Sequence, residues 1–297
     1  MRFSVIICTR NRAASLRDTL EAVFDQVPNQ NISYEVIVVD NGSTDSTKQL
    51  IAEFIATLPD RHHGNLKYFF EPQPGLSYAR NRGLEEASGE VIVFTDDDIL
   101  PESIWLEQIR QEFVEDPDLH LFGGRVLLAS SKLQPVSIVT SETAQTYVAA
   151  DACATVIGAN LAFRREVFDE VGNFDVRLGA GSFFSGGEDV EFLYRAMRSG
   201  YKLRYAPSAT VYHNHDRFSH EQACGLEFNY GKGEVAYLAK HIYKGDVYAL
   251  KIAYWSLTGL LKKALGTVNN SRENIERSRA HVKGFARAFF PAMVRMW

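Results

Sequence analysis

The chain has 297 residues, of which 45% are hydrophobic and 23% are charged. This composition is ordinary for one large or two small globular domains and excludes a largely disordered chain. The net charge of −5 is uneven: ten Lys and Arg outnumber three Asp and Glu from Lys244 onward, whereas 22 basic and 34 acidic residues precede it. A body with a charge of −12 argues against broad nucleic-acid binding. The tail, with a charge of +7, needs a separate explanation.

The three cysteines, Cys8, Cys153 and Cys224, lie far apart and are odd in number. They match neither a disulfide framework nor a zinc site, so a reducing compartment is expected. No charged and then apolar leader precedes the first predicted strand, which argues against a signal peptide. No stretch reaches the roughly 18 uncharged apolar residues of a membrane span. These features predict a cytoplasmic protein.

The first hundred residues alternate short apolar runs with helical patterns. In Gly89–Pro101 the segment Val91–Thr95 is entirely β-branched or aromatic, which predicts a strand buried on both faces. The alternation predicts right-handed crossovers and an α/β fold with a mostly parallel central sheet flanked by helices. Besides this central strand, the predicted strands are Phe3–Cys8, Tyr34–Val39 and Leu66–Phe70. The predicted helices are Ala14–Val27, a second one capped by Ser43 or Thr44, and Ser77–Ala87.

The rest of the chain continues with further strands and ends in helices. The Gly- and Ser-rich segment 179–187 predicts a mobile loop, able to close over a ligand. Gly158-Ala159-Asn160 fits either a close backbone approach to a ligand or a β-bulge. The predicted strands are Leu119–Leu128, Ile157–Arg164 and Ala209–Tyr212. The predicted helices are Glu102–Asp116, Arg165–Val171, Glu188–Ser199, Gly225–Tyr243, Val247–Ala264 and Ser271–Phe290.

Polar clusters follow three predicted strands, at Thr9–Arg12, Asp40–Ser43 and Asp96–Asp98. Because the carboxyl ends of parallel strands share one edge of the sheet, these clusters are expected to converge on one crevice. Three adjacent carboxylates repel one another, and clusters of oxygen ligands favour Mg²⁺ or Mn²⁺. The alternative is a solvated acidic turn before the next helix. No Gly-x-Gly-x-x-Gly follows the first strand, which argues against a dinucleotide site or a Walker-type loop.

Two other polar features are ambiguous when taken alone. Glu188 and Asp189 open a predicted helix, where the helix dipole favours acids by ~0.3–1 kcal/mol each. His213, with His215 nearby, ends a short predicted strand, and a lone histidine is usually structural. Only their combination with the three clusters indicates a site.

With these pieces in order, the chain resembles the family 2 inverting glycosyltransferases with the GT-A fold. The ordered motifs are VIICTRNR, VIVVDNGSTD, GLSYARNRGLEEASGE, VFTDDD, ANLAFRREVFDEVGNFD, GGEDVEFLYR and VYHNH. The resemblance covers roughly residues 1–220 and implies a nucleotide-binding half over about 1–100 and an acceptor half over about 101–220. Residues 221–297 form a C-terminal helical extension outside it.

The resemblance also implies a donor pocket. Asp40 would accept a hydrogen bond from the pyrimidine ring, and Arg80 would reach the donor, although a solvated helix charge is the alternative for Arg80. The residues implied in donor binding are Thr9, Arg10, Asn11, Arg12, Asp40, Asn41, Ser43, Arg80, Asn81, Asp96 and Asp97.

The acidic run matches the family's metal-binding Asp-x-Asp motif in one of two registers. Either Asp96 and Asp98 form the pair, or Thr95 replaces the first acid and Asp97 is the ligand. His213 would complete the coordination of Mn²⁺ or Mg²⁺, with His215 as a less favoured substitute. Asp189 matches the catalytic base. Glu188 beside it would hold the acceptor or structure the loop.

The implied activity is metal-dependent, inverting transfer of a sugar from a nucleotide diphosphate-sugar, UDP-linked by expectation, to an acceptor hydroxyl. Synthesis of a polysaccharide, glycolipid or cell-surface glycan is the expected setting. The alternatives are a sugar nucleotidyltransferase, whose Gly-rich loop is missing from CTRNRAAS, and a non-catalytic sugar-nucleotide-binding protein.

The basic tail fits a packed helical cap, a homodimer contact or an amphipathic surface on an anionic membrane. In the last case the protein would lie at the inner face of the membrane, where lipid-linked acceptors reside.

Overall fold

The computed structural model describes residues 1–27, 32–59, 62, 64–267 and 271–295. The strands are β1 Arg2–Thr9, β2 Ser33–Asp40, β3 Leu66–Phe70, β4 Val91–Asp96, β5 Ile99–Pro101, β6 Leu121–Leu128, β7 Gln145–Tyr147, β8 Leu161–Arg164 and β9 Leu203–His213. The helices are α1 Ala13–Phe24, α2 Thr47–Thr57, α3 Leu76–Glu86, α4 Trp105–Glu115, α5 Arg165–Val171, α6 Glu188–Arg198, α7 His220–Tyr243, α8 Val247–Ala264 and α9 Arg272–Arg295.

Within the described ranges the nine strands form one sheet in the order β3-β2-β1-β4-β8-β6-β9-β5, with β7 on β9. The strands β1 to β4 pair in parallel, as the helical crossovers between them require. Beyond β4 the sheet is mixed, because β8 runs antiparallel to both β4 and β6 while β6 and β9 are parallel. The α/β fold is confirmed, and its parallel part is the half that carries the three polar clusters.

The central strand β4 separates two hydrophobic cores. Ile92 and Phe94 pack against the core that includes α3, α5, α6 and α7. Val91 and Val93 pack against the core under α1, α2 and α4. All four side chains are buried, which confirms the prediction of a strand buried on both faces.

Several boundaries differ from the predictions for local reasons. The strand β9 is much longer than Ala209–Tyr212, because it pairs with β6 on one side and with the short β5 and β7 on the other. Only the end of the predicted strand 157–164 is extended, because Gly158–Asn160 forms a 3-10 turn instead of a β-bulge. The helix α7 begins at His220 instead of Gly225, since Ser219 and Gln222 form a reciprocal capping box.

The predicted cap of α2 is wrong. Neither Ser43 nor Thr44 caps it, and the helix starts at Thr47, whose backbone N–H donates to Asp45 Oδ1 at 3.1 Å. The Ser43 hydroxyl instead accepts a hydrogen bond from the Asn11 N–H group. This contact joins the loop after β2 to the loop after β1.

The C-terminal helices are joined tightly to the rest of the chain. A Cβ at Gly231 of α7 would lie 2.1 Å from the His281 carbonyl oxygen of α9, so only glycine permits this approach. Lys240 of α7 places its Nζ 2.8 Å from Glu191 Oε1 of α6 and 2.7 Å from Asp175 Oδ2. In the part of the chain that is described, no helix has the length and apolar character to cross a membrane.

Candidate active site

The three polar clusters meet at the carboxyl edge of the parallel strands. Thr9 Oγ1 donates to Asp97 Oδ2 at 2.7 Å, which joins the loop after β1 to the acidic run after β4. The Asn11 N–H donates to Ser43 Oγ at 2.9 Å, and the Thr44 N–H donates to Asn11 Oδ1 at 2.7 Å. The three clusters are therefore neighbours, as expected, but the expected single crevice takes its walls from only two of them, the loops after β1 and β4.

A cavity of about 580 Å³ opens beside this edge. Its walls come from the loops after β1 and β4, from the start of α6 and from the C-terminal helices. The predicted site residues in its walls are Arg10, Arg12, Arg80, Asp96, Asp97, Asp98, Glu188, Asp189 and His213. The cavity walls do not include Thr9, Asn11, Asp40, Asn41, Ser43 or Asn81.

Asp40 is buried at the end of β2 with both carboxylate oxygens engaged. Its Oδ1 accepts from the Ser43 N–H at 2.7 Å, and its Oδ2 accepts from the Tyr68 hydroxyl at 2.9 Å. Burial, reinforced by Asp40, raises the pKa of Tyr68 to about 12, so the phenol keeps its proton. The sequence analysis missed Tyr68. Only the pairing of β2 and β3, in which Tyr68 lies opposite Val38, could have placed it near Asp40.

Two of the predicted donor contacts hold backbone segments instead. The Asn41 amide donates to the Gln73 carbonyl oxygen at 2.6 Å and accepts from the Gly75 N–H at 2.8 Å. The Asn81 amide donates to the Phe174 carbonyl oxygen at 3.0 Å and accepts from its N–H at 2.8 Å. These amides shape the loops beside α3, and neither side chain faces the cavity.

Two carboxylates of the acidic run are held by Arg12. Arg12 Nη2 lies 2.9 Å from Asp98 Oδ2, and its Nη1 lies 3.4 Å from Asp97 Oδ1. Burial raises the pKa of Asp97 to about 7, and it also raises the pKa of Asp96. Burial opposes ionisation of Asp98 too, but His213 outweighs it and lowers the pKa of Asp98 to about 2. Asp98 is therefore the firmly ionised member.

Asp98 and His213 fit a divalent metal. His213 Nδ1 lies 3.2 Å from the Ser137 carbonyl oxygen, so this nitrogen donates. Nε2 lies 3.3 Å from Asp98 Oδ1, and without a metal a proton on Nε2 joins the two groups, because, against the opposing effect of burial, Asp98 raises the pKa of His213. Two acceptors that face each other need a proton or a cation between them. Two ligands at ~2.1 Å from an octahedral ion are about 3 Å apart, close to this separation.

In the described ranges no group of three or more His, Cys, Asp and Glu forms a complete metal cluster. The remaining ligands of an ion at Asp98 and His213 would therefore be water and substrate oxygens, which is usual for Mg²⁺. His215 is occupied elsewhere: its Nε2 lies 3.1 Å from the Gln134 carbonyl oxygen, and its Nδ1 accepts from the Arg217 N–H. Thr95 is buried and does not line the cavity, whereas Asp96, Asp97 and Asp98 do, which disfavours the register that uses Thr95.

Arg80 is buried, so the alternative of a solvated helix charge is wrong. Its Nη1 donates to Glu188 Oε1 at 2.8 Å, and its Nη2 lies 3.7 Å from Asp96 Oδ1. The guanidinium also lies 5.5 Å from the ring centroids of Phe94 and of Phe174. Burial raises the pKa of Glu188 to about 7 against the opposing charge of Arg80. Arg80 thus joins the acidic run to the start of α6.

Asp189 is half-buried in the first turn of α6 and faces the cavity. Its Oδ2 accepts from the Gly158 N–H at 2.8 Å, and its Oδ1 accepts from the Val190 N–H at 2.8 Å. Two backbone donors therefore orient this carboxylate. Glu188 and Asp189, adjacent in sequence, have different surroundings, because Glu188 is buried against Arg80.

The segment 179–187, predicted to be a mobile loop, contacts two helices. The Leu76 N–H of α3 donates to the Ala180 carbonyl oxygen at 2.9 Å. A Cβ at Gly233 of α7 would lie 2.4 Å from the Gly186 carbonyl oxygen, so the two backbones touch. The segment is held on two sides, and its closure over a donor stays a prediction.

The sequence analysis missed the wall that α7 and α9 contribute. It includes Tyr230, Glu234 and His281. His281 places Nδ1 3.0 Å from Glu227 Oε2 and Nε2 2.8 Å from Glu234 Oε2. Burial lowers the pKa of His281, but the two carboxylates outweigh it and raise it to about 9. The acids are seven residues apart on α7, and nothing in the sequence relates them to His281.

Comparison with known sequences identifies the family of the chain. The model of the family described as glycosyl transferase family 2 matches residues 4–172. The chain is 32% identical over 267 residues to glycosyltransferase AglE of Haloferax volcanii, covering 88% of this chain and 81% of that protein. It is 27% identical over 245 residues to hyaluronan synthase of Pasteurella multocida, covering 71% of this chain and 24% of that longer protein.

Solved structures match the fold along almost the whole chain. A mannosyltransferase of Pyrobaculum calidifontis in complex with GDP-Man and Mn²⁺ has a TM-score of 0.67 at 20% identity, covering 97% of this chain and 87% of that one. S. aureus TarS has a TM-score of 0.66 at 18% identity, covering 97% and 81%. The chain therefore has the GT-A fold, and it is a glycosyltransferase that belongs to glycosyl transferase family 2.

Proposed function

We propose that the chain transfers a sugar, with inversion at the anomeric carbon, from a UDP-linked donor to a hydroxyl group of a glycan or lipid-linked acceptor. The proposal includes a bound Mn²⁺ or Mg²⁺. The observation that carries it is that the Asp98–His213 pair and Asp189 line one cavity. An inverting displacement needs a cationic site for the leaving diphosphate and a base on the opposite side of the anomeric carbon.

The leaving-group side would be formed by Asp98, His213 and Arg12. The metal, when bound, would act as a Lewis acid that neutralises charge developing on the diphosphate. Arg12 lies against Asp97 and Asp98, and its guanidinium is suited to donate to phosphate oxygens at the same place. Arg10, also in the cavity wall, adds a second positive charge.

The acceptor side would use Asp189 as the general base. Its hydrogen bonds from the Gly158 and Val190 N–H groups fix the direction of the carboxylate. A carboxylate held in this way takes the proton from the acceptor hydroxyl as the new bond forms.

Glu188 fits the alternative in which it structures the loop, because its carboxylate is committed to Arg80. The Arg80 side chain also approaches Asp96. A change near Asp96 can therefore be transmitted through Arg80 to the first turn of α6. We propose that Glu188 positions Asp189 and takes no proton itself.

The choice of UDP rests on the match of Asp40 to the pyrimidine-reading carboxylate of the family and not on the cavity, because Asp40 lies outside its walls and its oxygens are engaged by Ser43 and Tyr68. Structures with this fold have been solved with different nucleotides, including GDP-Man with Mn²⁺ in the Pyrobaculum calidifontis enzyme and UDP-GlcNAc in S. aureus TarS. The acceptor class is supported by similarity to a glucosyl-dolichyl phosphate glucuronosyltransferase of Haloferax volcanii, 26% identical over 188 residues. That match covers 60% of this chain and 58% of that protein.

A thermal-shift panel of UDP-, GDP-, CMP- and dTDP-sugars, each with and without Mn²⁺, tests the donor. We expect UDP-sugars to raise the melting temperature only with the metal, because ligand binding to the folded state stabilises it. Slow release of UDP in the presence of water alone would accompany binding. Stabilisation by GDP-sugars and not by UDP-sugars would contradict the nucleotide assignment.

A further inference from the structure

The helix α8 presents an apolar stripe to solvent. Along its outer face, Val247, Leu250, Tyr254 and Leu265 have 76%, 55%, 67% and 72% of their surface exposed. Leu261, also exposed, lies on the same stripe. The spacing of three, four and seven residues places all of these side chains on one side of the helix. Together with Thr258, which lies between Tyr254 and Leu261, they form one predominantly apolar stripe.

The opposite side of α8 is also apolar and packs on the protein. Ala249, Ile252 and Ala264 are buried there, and Ser256 donates its hydroxyl to Glu234 of α7. A helix that is apolar on both sides is normally buried on both sides. A contiguous apolar stripe left in water marks an interaction surface.

The charges along α8 are all positive. The helix contains Lys251, Lys262 and Lys263 and no acidic residue. The side chains of Lys251 and Lys262 lie along one edge of the stripe, as the helical repeat requires. Lys251 places its Nζ 4.3 Å from the centroid of the Trp255 ring. A tryptophan and a lysine at the edge of an apolar face are suited to a membrane–water boundary.

The charge distribution of the whole chain favours an anionic partner for the C-terminal helices. Residues 1–243 have 34 acidic and 22 basic residues, whereas the remainder has three acidic and ten basic residues. An anionic surface therefore attracts the C-terminal helices and repels the body of the protein. A second copy of the chain is disfavoured, because a two-fold contact through α8 would bring its lysines together with no acid on that helix.

We propose that α8 is an interfacial helix that docks the protein on an anionic lipid surface, with its apolar stripe in the headgroup region and its lysines at the lipid phosphates. This docking is independent of the proposed reaction.

Vesicle sedimentation with the full-length chain tests the proposal. We expect binding to vesicles that contain phosphatidylglycerol, weaker binding in high salt, and little binding to phosphatidylcholine alone. Each lysine near anionic lipid contributes a factor of about five. Replacing all three lysines of α8 with glutamine should weaken binding about a hundredfold.

A second variant tests the apolar stripe. Leu250→Gln, Tyr254→Gln and Leu261→Gln together should lower vesicle binding at least about tenfold, because buried apolar area drives interfacial insertion. All three side chains are exposed, so the melting temperature should be retained. The matched control is Val114→Gln with Val148→Gln, two exposed apolar residues outside the C-terminal helices, and it should bind as the wild type does.

Three outcomes would overturn the proposal. The first is equal binding to neutral and anionic vesicles. The second is binding that neither triple variant weakens. The third is absence of vesicle binding together with a stable dimer that the Leu250, Tyr254 and Leu261 variant dissociates, which would assign the stripe to a second copy of the chain.

Discussion

The two sides of the cavity are built in different ways. On the side of the strand ends, the wall residues follow β1 and β4, and hydrogen bonds join the loop after β1 to the loops after β2 and β4. On the other side, the wall is made by α7 and α9, whose side chains meet across tens of residues of sequence, as His281 meets Glu234. Strand order determines where the wall residues lie on the first side, and helix packing determines where they lie on the second.

This difference separates what each side contributes. The side of the strand ends has charges in fixed positions, with Arg12 and Arg80 placed against the acidic run. The helical side controls the position of α6, because α7 touches the segment before it and Lys240 pairs with Glu191. Changes on the first side should affect donor binding, and changes on the second should affect stability and turnover.

The largest expected effect is at Asp189, where the two sides meet. Asp189→Asn should lower turnover by ~10²–10⁴-fold, the usual loss for a positioned general base. Donor affinity should be retained, because Asp189 is held by the backbone of Gly158 and by its own helix. Turnover is followed as release of UDP, and affinity by calorimetry.

Glu188→Gln is the matched comparison for this prediction. It removes the nearer of the two carboxylates beside the buried Arg80 and leaves Asp96 at 3.7 Å, so the main expected result is a loss of stability of roughly 2 kcal/mol. Normal turnover in Asp189→Asn, with slow turnover in a folded Glu188→Gln, would mean that Glu188 is the general base and Asp189 the positioning residue.

The second effect concerns pH and the helical side. In the folded chain the pKa of His281 is raised from its ordinary value of 6.5 to about 9 by Glu227 and Glu234. The stabilisation is fully present below pH 6.5 and is lost as the pH rises through about 9. Urea unfolding should show a decline of roughly 2–3 kcal/mol across this window. His281→Gln should lack this decline, and an identical pH profile for both proteins would contradict it.

The third effect tests helix packing. Gly233→Ala should cost ~1–3 kcal/mol of stability, because its Cβ would meet the Gly186 backbone and force the helix away. Turnover should fall as well, since Gly186 lies just before Glu188. Gly225→Ala in the same helix is the control, because no atom lies within 4 Å of its added Cβ. Equal losses of stability in the two variants would show that the contact between Gly233 and Gly186 does not account for the effect.

The sequence predicts the two sides unequally. The buried strand β4 and the meeting of Thr9, Ser43 and Asp97 follow from periodicity and strand order. The Arg80–Glu188 pair joins residues 108 positions apart, and no local pattern relates them. Asn41 and Asn81 matched donor-binding positions of the family. Their amides bind backbone groups instead, and the sequence cannot predict this because those groups come close only when the loops fold. The strands β5 and β7 have three residues each, too few for a periodic signal.

The sequence could not predict the exposed stripe of α8 for a similar reason. The sequence shows apolar residues on more than one side of this helix. Only the packing of α8 on α7 and α9 determines which of its two apolar sides is buried.

The most direct test of the account is calorimetry of UDP binding with Mn²⁺ and with EDTA, in the wild type and in two matched variants. Asp98→Asn removes the carboxylate that faces His213, whereas Asp97→Asn changes one that is bound to Thr9 and Arg12. We expect Mn²⁺ to strengthen UDP binding in the wild type and in Asp97→Asn, and to have no effect in Asp98→Asn. Equal UDP affinity of the wild type with Mn²⁺ and with EDTA would contradict the account.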